Sequence, residues 1–287
     1  MRKEIIRGDK MNKFTTYSVL MSVYYKEKPE YLVESIESIV NQSILTDDFV
    51  IVKDGPLTPE LDLILDKYSK KFSFIKLISL EKNIGLGLAL NAGLANCKNE
   101  LVARMDSDDI SLSTRCEHQL NSFNSKEELV ILGTQIAEFY TTPKDIVSMR
   151  QVPTKFDEII EFSRRRSPFN HPTVMYKKSR ILELGGYKDV RRKEDLELFL
   201  NALNNEYYSE NLDEIGLYFR SNEDNYLRRK DKVNCINYIS TIYSYYKKKY
   251  CDFFDLSYVV ISQLFFMIAP KKVLKFVSNK YLRESVN

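Results

Sequence analysis

From Tyr17 onward, apolar positions switch repeatedly between two spacings. SVLMSVYY (18–25) is a short β-rich run, and PEYLVESIESIVNQ (29–42) opens on Pro with apolar residues at helical intervals. FVIVKD (49–54) is the next strand. The cycle repeats with a helix at 59–71, a strand at FIKLISL (74–80), a helix at 86–96 and a strand at ELVARMD (100–106). Strict alternation calls for right-handed crossovers and predicts a parallel sheet covered by helices on both faces. Ligands of such sheets lie beyond the carboxyl ends of the strands, where Asp54 and Asp106 fall.

After residue 112 the pattern loosens. It predicts a helix near 112–123, an apolar strand at VILGTQIAEF (130–139), a helix near 155–166 and an irregular segment at SPFNHPTVMY (167–176). EDLELFLNAL (194–203) reads as a helix with Glu194 and Asp195 in its first turn. EIGLYFRS (214–221) closes the sheet region, and the remainder reads as helical. The expected division is a polar lead-in at 1–16, an α/β unit at 17–221 and a helical region at 222–287.

A chain of 287 residues has room for one large domain with an appendage. Its 44% apolar and 29% charged residues describe an ordinary folded protein. A net charge of +3 is too small to argue for nucleic acid, and no nucleic-acid partner is expected. Basic residues gather toward the C-terminus, where YYKKKY (245–250) precedes LSYVVISQLFFMIA (256–269) and KKVLKF (271–276) follows. That apolar run is too short to span a bilayer, which leaves a core helix or an interfacial helix with lysines on its wet side. The 4 cysteines form no CxxC pair, so neither zinc nor a disulfide framework is indicated and a reducing compartment fits. MRKEIIRGDKMNKF lacks the apolar core of a secretory signal, and a cytoplasmic protein is expected.

Candidate chemistry concentrates in ARMDSDDIS (103–111), where Asp106, Asp108 and Asp109 crowd together. Two readings stand: a solvated turn before a helix, or hard oxygen ligands sharing a divalent cation with phosphates. Other motifs fail. KNIGLGLALNAG has Leu90 where a dinucleotide fingerprint needs its third glycine, and no P-loop occurs. Two histidines, His118 and His171, exclude a His-rich zinc centre, and His171 lacks the GxSxG partner of a hydrolase triad. A calcium loop fails because Ser111 stands where it needs glycine. An aspartyl phosphatase would carry its carboxylates after an early strand, not the fourth. Glu194 and Asp195 have a structural explanation of their own, since acids at a helix start complement its dipole.

The ordered set SVYYKEKPEYLVESIESIVNQS (22–43), VKDGP (52–56), NIGLGLALNAGL (83–94), ARMDSDDIS with Arg115, NHPTVM with GGY (170–187) and KEDLELFL (193–200) resembles the family 2 glycosyltransferases. The likeness is nearest to enzymes that assemble bacterial O-antigen, capsular or exopolysaccharide repeat units. It implies a GT-A fold: a Rossmann-like, mostly parallel central sheet flanked by helices, here with a helical C-terminal extension. It also implies transfer of galactose, glucose or an N-acetylhexosamine from a UDP-sugar to a polyprenyl-diphosphate-linked saccharide, by a peripheral protein on the inner face of the cytoplasmic membrane. By the resemblance, Asp54 binds uracil in a pocket lined by the backbone at Ser22, Val23 and Tyr24 with Asn83 nearby, and Asp106 holds the ribose, with Ser107 and Arg115 also on the donor side. Asp108, with Asp106, would bind Mn2+ or Mg2+ at the diphosphate. Asp195 would be the general base of an inverting displacement, positioned by Glu194, and His171, Arg192 and Asp109 would lie on the acceptor side. An ordinary loop histidine remains open for His171, as does a helix C-terminus for Arg164 to Arg166. Leu196 and Glu197 stand where relatives often carry an aromatic residue and Asp. Two other functions remain: a non-catalytic nucleotide-sugar-binding subunit, and a sugar nucleotidyltransferase, for which the chain lacks a Gly- and Arg/Lys-rich loop near the first strand.

Overall fold

The computed structural model describes residues 13–221, 230–270 and 273. Strand β1 (Ser18–Val23) lies between β2 (Asp48–Lys53) and β4 (Leu101–Asp106), parallel to both, and β3 (Ile75–Ser79) runs parallel on the outer side of β2. The three inner strands are buried along almost their whole length, which is why they read as continuous apolar runs. One face packs on α1 (Pro29–Val40), α2 (Pro59–Lys71) and α4 (Arg115–Ser125), through residues such as Ile36, Leu61 and Leu120. The other face packs on α3 (Leu86–Asn96) and α7 (Glu194–Asn204). Helix α3 sits close because Gly93 has no side chain: a Cβ there would lie 2.3 Å from Leu20 Cδ1 and 2.7 Å from Val52 Cγ2. Pro59 opens α2, and Thr58 Oγ1 accepts from the Leu61 amide, so the sequence marks that helix start twice.

Beyond β4 the sheet changes character. Strand β8 (Met175–Lys177) pairs antiparallel with β4, and β6 (Ile131–Phe139) pairs antiparallel with β8. Strand β9 (Ser209–Arg220) runs parallel to β6 with register shifts around Gln135, while β5 (Ile110–Ser111) and β7 (Ile146–Arg150) add short antiparallel pairs. The result is a mixed 9-stranded sheet, ordered β3-β2-β1-β4-β8-β6-β9-β5 with β7 beside β6. Strict parallel alternation therefore holds for its first four strands only. The segment read as irregular follows α5 (Phe156–Ser163) and contains a 3-10 turn (His171–Thr173) and the start of β8, and α6 (Lys178–Glu183) comes after it. Strands of two or three residues are too short to display a period.

Helices α8 (Lys232–Lys247) and α9 (Phe253–Ile268) pack on the α/β unit: Ile242, Tyr245 and Val259 form a cluster with Leu196 and Leu200 of α7. Residues 1–12 of the expected lead-in, the junction at 222–229 and, Val273 apart, the KKVLKF segment lie outside the described residues.

Candidate active site

The carboxyl ends of β1, β2 and β4 meet the starts of α3 and α7 around a cleft of about 740 Å³. Ser22 of β1 stands opposite Asp106 of β4, and both line it. At the next strand end Asp54 is buried and accepts three hydrogen bonds: Oδ1 from the Ile84 amide at 2.7 Å, and Oδ2 from Asn83 Nδ2 at 2.9 Å and the Gly85 amide at 3.2 Å. The turn closes because residue 55 is glycine, with φ +85° and a hypothetical Cβ only 2.5 Å from the Asn83 amide nitrogen. Asp54 thus ties β2 to the 83–85 turn while facing the cleft.

The DSDD segment is held from three sides. Ser35 Oγ of α1 donates to the Asp106 carbonyl at 2.7 Å. The Arg220 amide of β9 donates to Asp109 Oδ1 at 2.8 Å, and Arg220 Nε donates to the Asp108 carbonyl at 2.9 Å. Arg104 Nη2 pairs with Asp106 Oδ1 from within β4. Asp106, Asp108 and Asp109 each offer a carboxylate oxygen within 4.8 Å of the others. Crowding has the expected electrostatic result. Burial, then Asp106 and Glu27, push the Asp108 carboxyl up to about 7, and burial with Asp108 and Asp106 raises Asp109 well above the usual range. Asp109 Oδ2 is buried without a hydrogen-bond partner among the described residues. Converging hard oxygens, mutual repulsion and an orphaned oxygen together fit Mn2+ or Mg2+.

Across the cleft, Glu194 and Asp195 form the first turn of α7, whose start abuts α3 so tightly that a Cβ at Gly87 would lie 2.9 Å from Glu194 Cβ. Burial and the adjoining Asp195 push Glu194 up to about 7. No hydrogen bond or ion pair within the described residues holds the Asp195 carboxylate, so it is free to face a ligand. His171 is buried, its Nε2 lying 2.9 Å from the Tyr187 hydroxyl and its ring edge-on to Phe199. Burial and the Arg104 charge depress its pKa well below the usual value, so it stays neutral. Arg192, at φ 66°, lines the cleft while its Nη1 pairs with Asp231 at 3.0 Å.

Most of the residues singled out in the sequence therefore line one cleft: Ser22, Tyr24, Asp54, Asn83, Asp106, Ser107, Asp108, His171, Arg192, Glu194 and Asp195. Asp109, expected on the acceptor side, is instead fully buried behind the cleft wall as the inner member of the acidic cluster. Two others do not line it. Val23 points its side chain into the core. Arg115 turns away beneath β4, where Nη2 donates to the Arg104 carbonyl at 2.7 Å and Nε to Gln119 Oε1 at 3.2 Å, so the expectation of a donor-side role is corrected to a structural one. His118 pairs with Glu214, away from the cleft. Leu196 joins the α8/α9 cluster and Glu197 pairs with Lys188, so neither departure from the family pattern lines the cleft.

Sequence reasoning missed Arg104, Glu27 and Arg220. Arg104 was legible, since strand alternation puts residues 104 and 106 on one face. Glu27, whose carboxylate accepts from Ser107 Oγ, and Arg220 reach the loop through pairings more than 75 residues apart, for which the local sequence holds no signal.

The profile of glycosyl transferase family 2 matches residues 18–185. The chain is 34% identical over 93% of its length, and 96% of the relative's, to an Escherichia coli UDP-Gal:alpha-D-GlcNAc-diphosphoundecaprenol beta-1,3-galactosyltransferase. It is 33% identical over 92% of its length, and 98% of the relative's, to the amylovoran biosynthesis glycosyltransferase AmsE of Erwinia amylovora. Its fold is similar to that of the mannosyltransferase PcManGT from Pyrobaculum calidifontis in complex with GDP-Man and Mn2+, with a TM-score of 0.61 at 12% identity over 91% of this chain and 74% of that one. With the cleft at the strand ends, the acidic cluster and these likenesses together, the chain is a glycosyltransferase of family 2 with the GT-A fold.

Proposed function

We propose that the protein transfers a hexose (galactose, glucose or an N-acetylhexosamine) from a UDP-sugar to a polyprenyl-diphosphate-linked saccharide, in the assembly of a bacterial surface polysaccharide. The observation that carries this reading is the convergence on one cleft of the Asp106–Asp108–Asp109 cluster and the Glu194–Asp195 pair. Donor and acceptor classes follow the Escherichia coli relative, whose name specifies UDP-Gal and a diphosphoundecaprenol acceptor, and whose length the chain spans almost completely.

The residues divide the work. Ser22, Tyr24 and Asn83 line the nucleotide end, and Asp54, with three of its acceptor positions occupied by the 83–85 turn, keeps a remaining lone pair for the uracil N–H. Asp106 lies where the ribose and diphosphate meet, beside Ser107. Asp108 with Asp106 would hold Mn2+ or Mg2+, and Asp109 supplies a further oxygen to the cluster. Held there, such an ion would supply positive charge against the negative charge that accumulates on the departing UDP. Asp195 takes the proton from the acceptor hydroxyl as its oxygen bonds to the anomeric carbon, and the bond from that carbon to the UDP oxygen breaks, with inversion. Glu194 shapes the site of that base. His171, Arg192 and Arg166 flank the acceptor side, where the two guanidinium groups suit a diphosphate. The protein works at the inner face of the cytoplasmic membrane, where such an acceptor is presented.

The test incubates the protein and Mn2+ with UDP-galactose, UDP-glucose or UDP-N-acetylglucosamine and a synthetic lipid-diphosphate sugar, and follows UDP release and product. Acceptor-dependent UDP release supports the reading. Binding of UDP-sugar without turnover assigns a non-catalytic subunit, and pyrophosphate release from a nucleoside triphosphate assigns a nucleotidyltransferase.

A further inference from the structure

Helix α9 reverses the arrangement of an ordinary surface helix. Asp255 and Gln263 are buried beside Val259, whereas Phe254, Tyr258, Ile261, Phe265 and Ile268, spaced by alternating four- and three-residue steps, face outward with Phe254 75% and Ile268 79% exposed. A helix that meets water carries its polar residues on that side, and a contiguous apolar stripe marks a contact surface.

The surrounding charge identifies the chemistry of the contact. Asp252 and Asp255 cap α9 reciprocally, and Asp255 also pairs with Arg165 at 2.6 Å, so the neighbouring acids are engaged. Lys247, Lys248 and Lys249 lie exposed at the end of α8, just before the stripe begins. In the sequence, Lys271 and Lys272 follow just after it ends. An apolar stripe that begins beside three exposed lysines complements an anionic lipid surface. Helix α9 has 16 residues, about 24 Å at 1.5 Å per residue, and no helix among the described residues is long and apolar enough to cross a membrane, so it would lie flat.

The platform is fastened to the acceptor side of the cleft. Tyr238 of α8 donates its hydroxyl to the Arg165 carbonyl at 2.9 Å, and Asn237 donates to the Arg191 carbonyl at 2.9 Å. These bonds hold the two segments that deliver Arg166 and Arg192 to the cleft.

We propose that the exposed face of α9 docks at the headgroup–acyl boundary of an anionic bilayer, bringing the arginine-lined side of the cleft to a diphosphate presented at that surface. The second half of this proposal rests on the lipid-linked acceptor described above; the first half does not.

Flotation of the full chain with phosphatidylcholine vesicles, with and without phosphatidylglycerol, tests it. The wild-type protein is expected to float with phosphatidylglycerol vesicles, increasingly as salt is lowered. Ile261→Glu with Phe265→Glu, both at exposed positions, is expected to weaken binding by about tenfold or more, and UDP binding measured by calorimetry stays unchanged. Lys247, Lys248 and Lys249 changed together to Gln are expected to abolish the preference for the anionic lipid. A wild-type protein that does not float, or a double-Glu variant that floats equally well, overturns the proposal. So does a lipid-free dimer that the same two substitutions dissociate, since the stripe would then join copies of this chain. Flotation of a protein that takes up no UDP supports the surface and overturns the donor reading instead.

Discussion

Arg104 and Asp106 form an ion pair on one face of β4, and the arginine is 1% exposed, with Nε and Nη1 buried and lacking hydrogen-bond partners among the described residues. A buried cation is thereby fixed beneath a group of carboxylates whose charges oppose one another. Arg104→Met keeps much of the volume and removes the charge, leaving Asp106 uncompensated. Loss of one partner of a buried pair costs about 3 kcal/mol, which thermal unfolding in chelator measures. Mn2+ should then raise the unfolding temperature more in the variant than in the wild type, because the ion replaces the missing positive charge. An equal Mn2+ shift in both proteins would reduce Arg104 to a packing element.

Asp195→Asn changes one atom of a side chain that no neighbour within the described residues holds by a hydrogen bond or ion pair. Fold and UDP affinity are therefore expected to persist, while turnover falls by roughly a thousandfold through loss of the proton acceptor. Calorimetry with UDP and a UDP-release assay separate the two effects. A near-normal rate removes Asp195 from the mechanism.

Arg220 is sandwiched between rings, 3.9 Å from the Tyr31 centroid and 4.6 Å from that of Phe139, and its side chain reaches both the Asp108 carbonyl and Glu34. Lysine keeps the charge but lacks the planar fork that makes these contacts together. Arg220→Lys should weaken Mn2+ binding by about ten- to a hundredfold, read by calorimetry. The backbone amide that donates to Asp109 survives the substitution, so the cluster is loosened rather than dismantled.

How much of this was legible depended on the range of the interactions. Fully buried parallel strands announce themselves as apolar runs, so β1, β2 and β4 and the carboxylates at their ends could be placed from sequence. The first-turn position of Glu194 and Asp195 followed from helical spacing. What could not be read were pairings made late in the chain: β5 with β9, β8 between β4 and β6, and through them the approach of Arg220 to DSDD. Arg115 shows the opposite error. The family resemblance implied a donor-side contact, but the first turn of α4 points it under the strand, where backbone carbonyls need donors.

That geometry makes its own prediction. Arg115→Leu removes the donors to the Arg104 carbonyl and Gln119 and should destabilise the fold by about 1–3 kcal/mol through the buried groups left unpaired. The KM for the donor sugar, measured below the unfolding transition, should be unchanged. A rise in KM at full stability would restore Arg115 to the donor site.

Glu194 provides a pH test whose sign can be worked out. Burial and Asp195 raise its carboxyl from 4.5 to about 7, so the native state favours the neutral acid. The stability this group contributes is complete below about pH 4.5 and is lost as pH rises through about 7. Glu194→Gln keeps the neutral shape at every pH. In chelator, the variant should match the wild type near pH 4.5 and exceed it near pH 8 by the order of 1–2 kcal/mol, the cost of holding a partly buried charge next to another. Thermal unfolding at the two pH values measures the difference. Equal stability at both would mean that the α7 start accommodates two charges without penalty, and Glu194 would then act through its charge rather than through its shape.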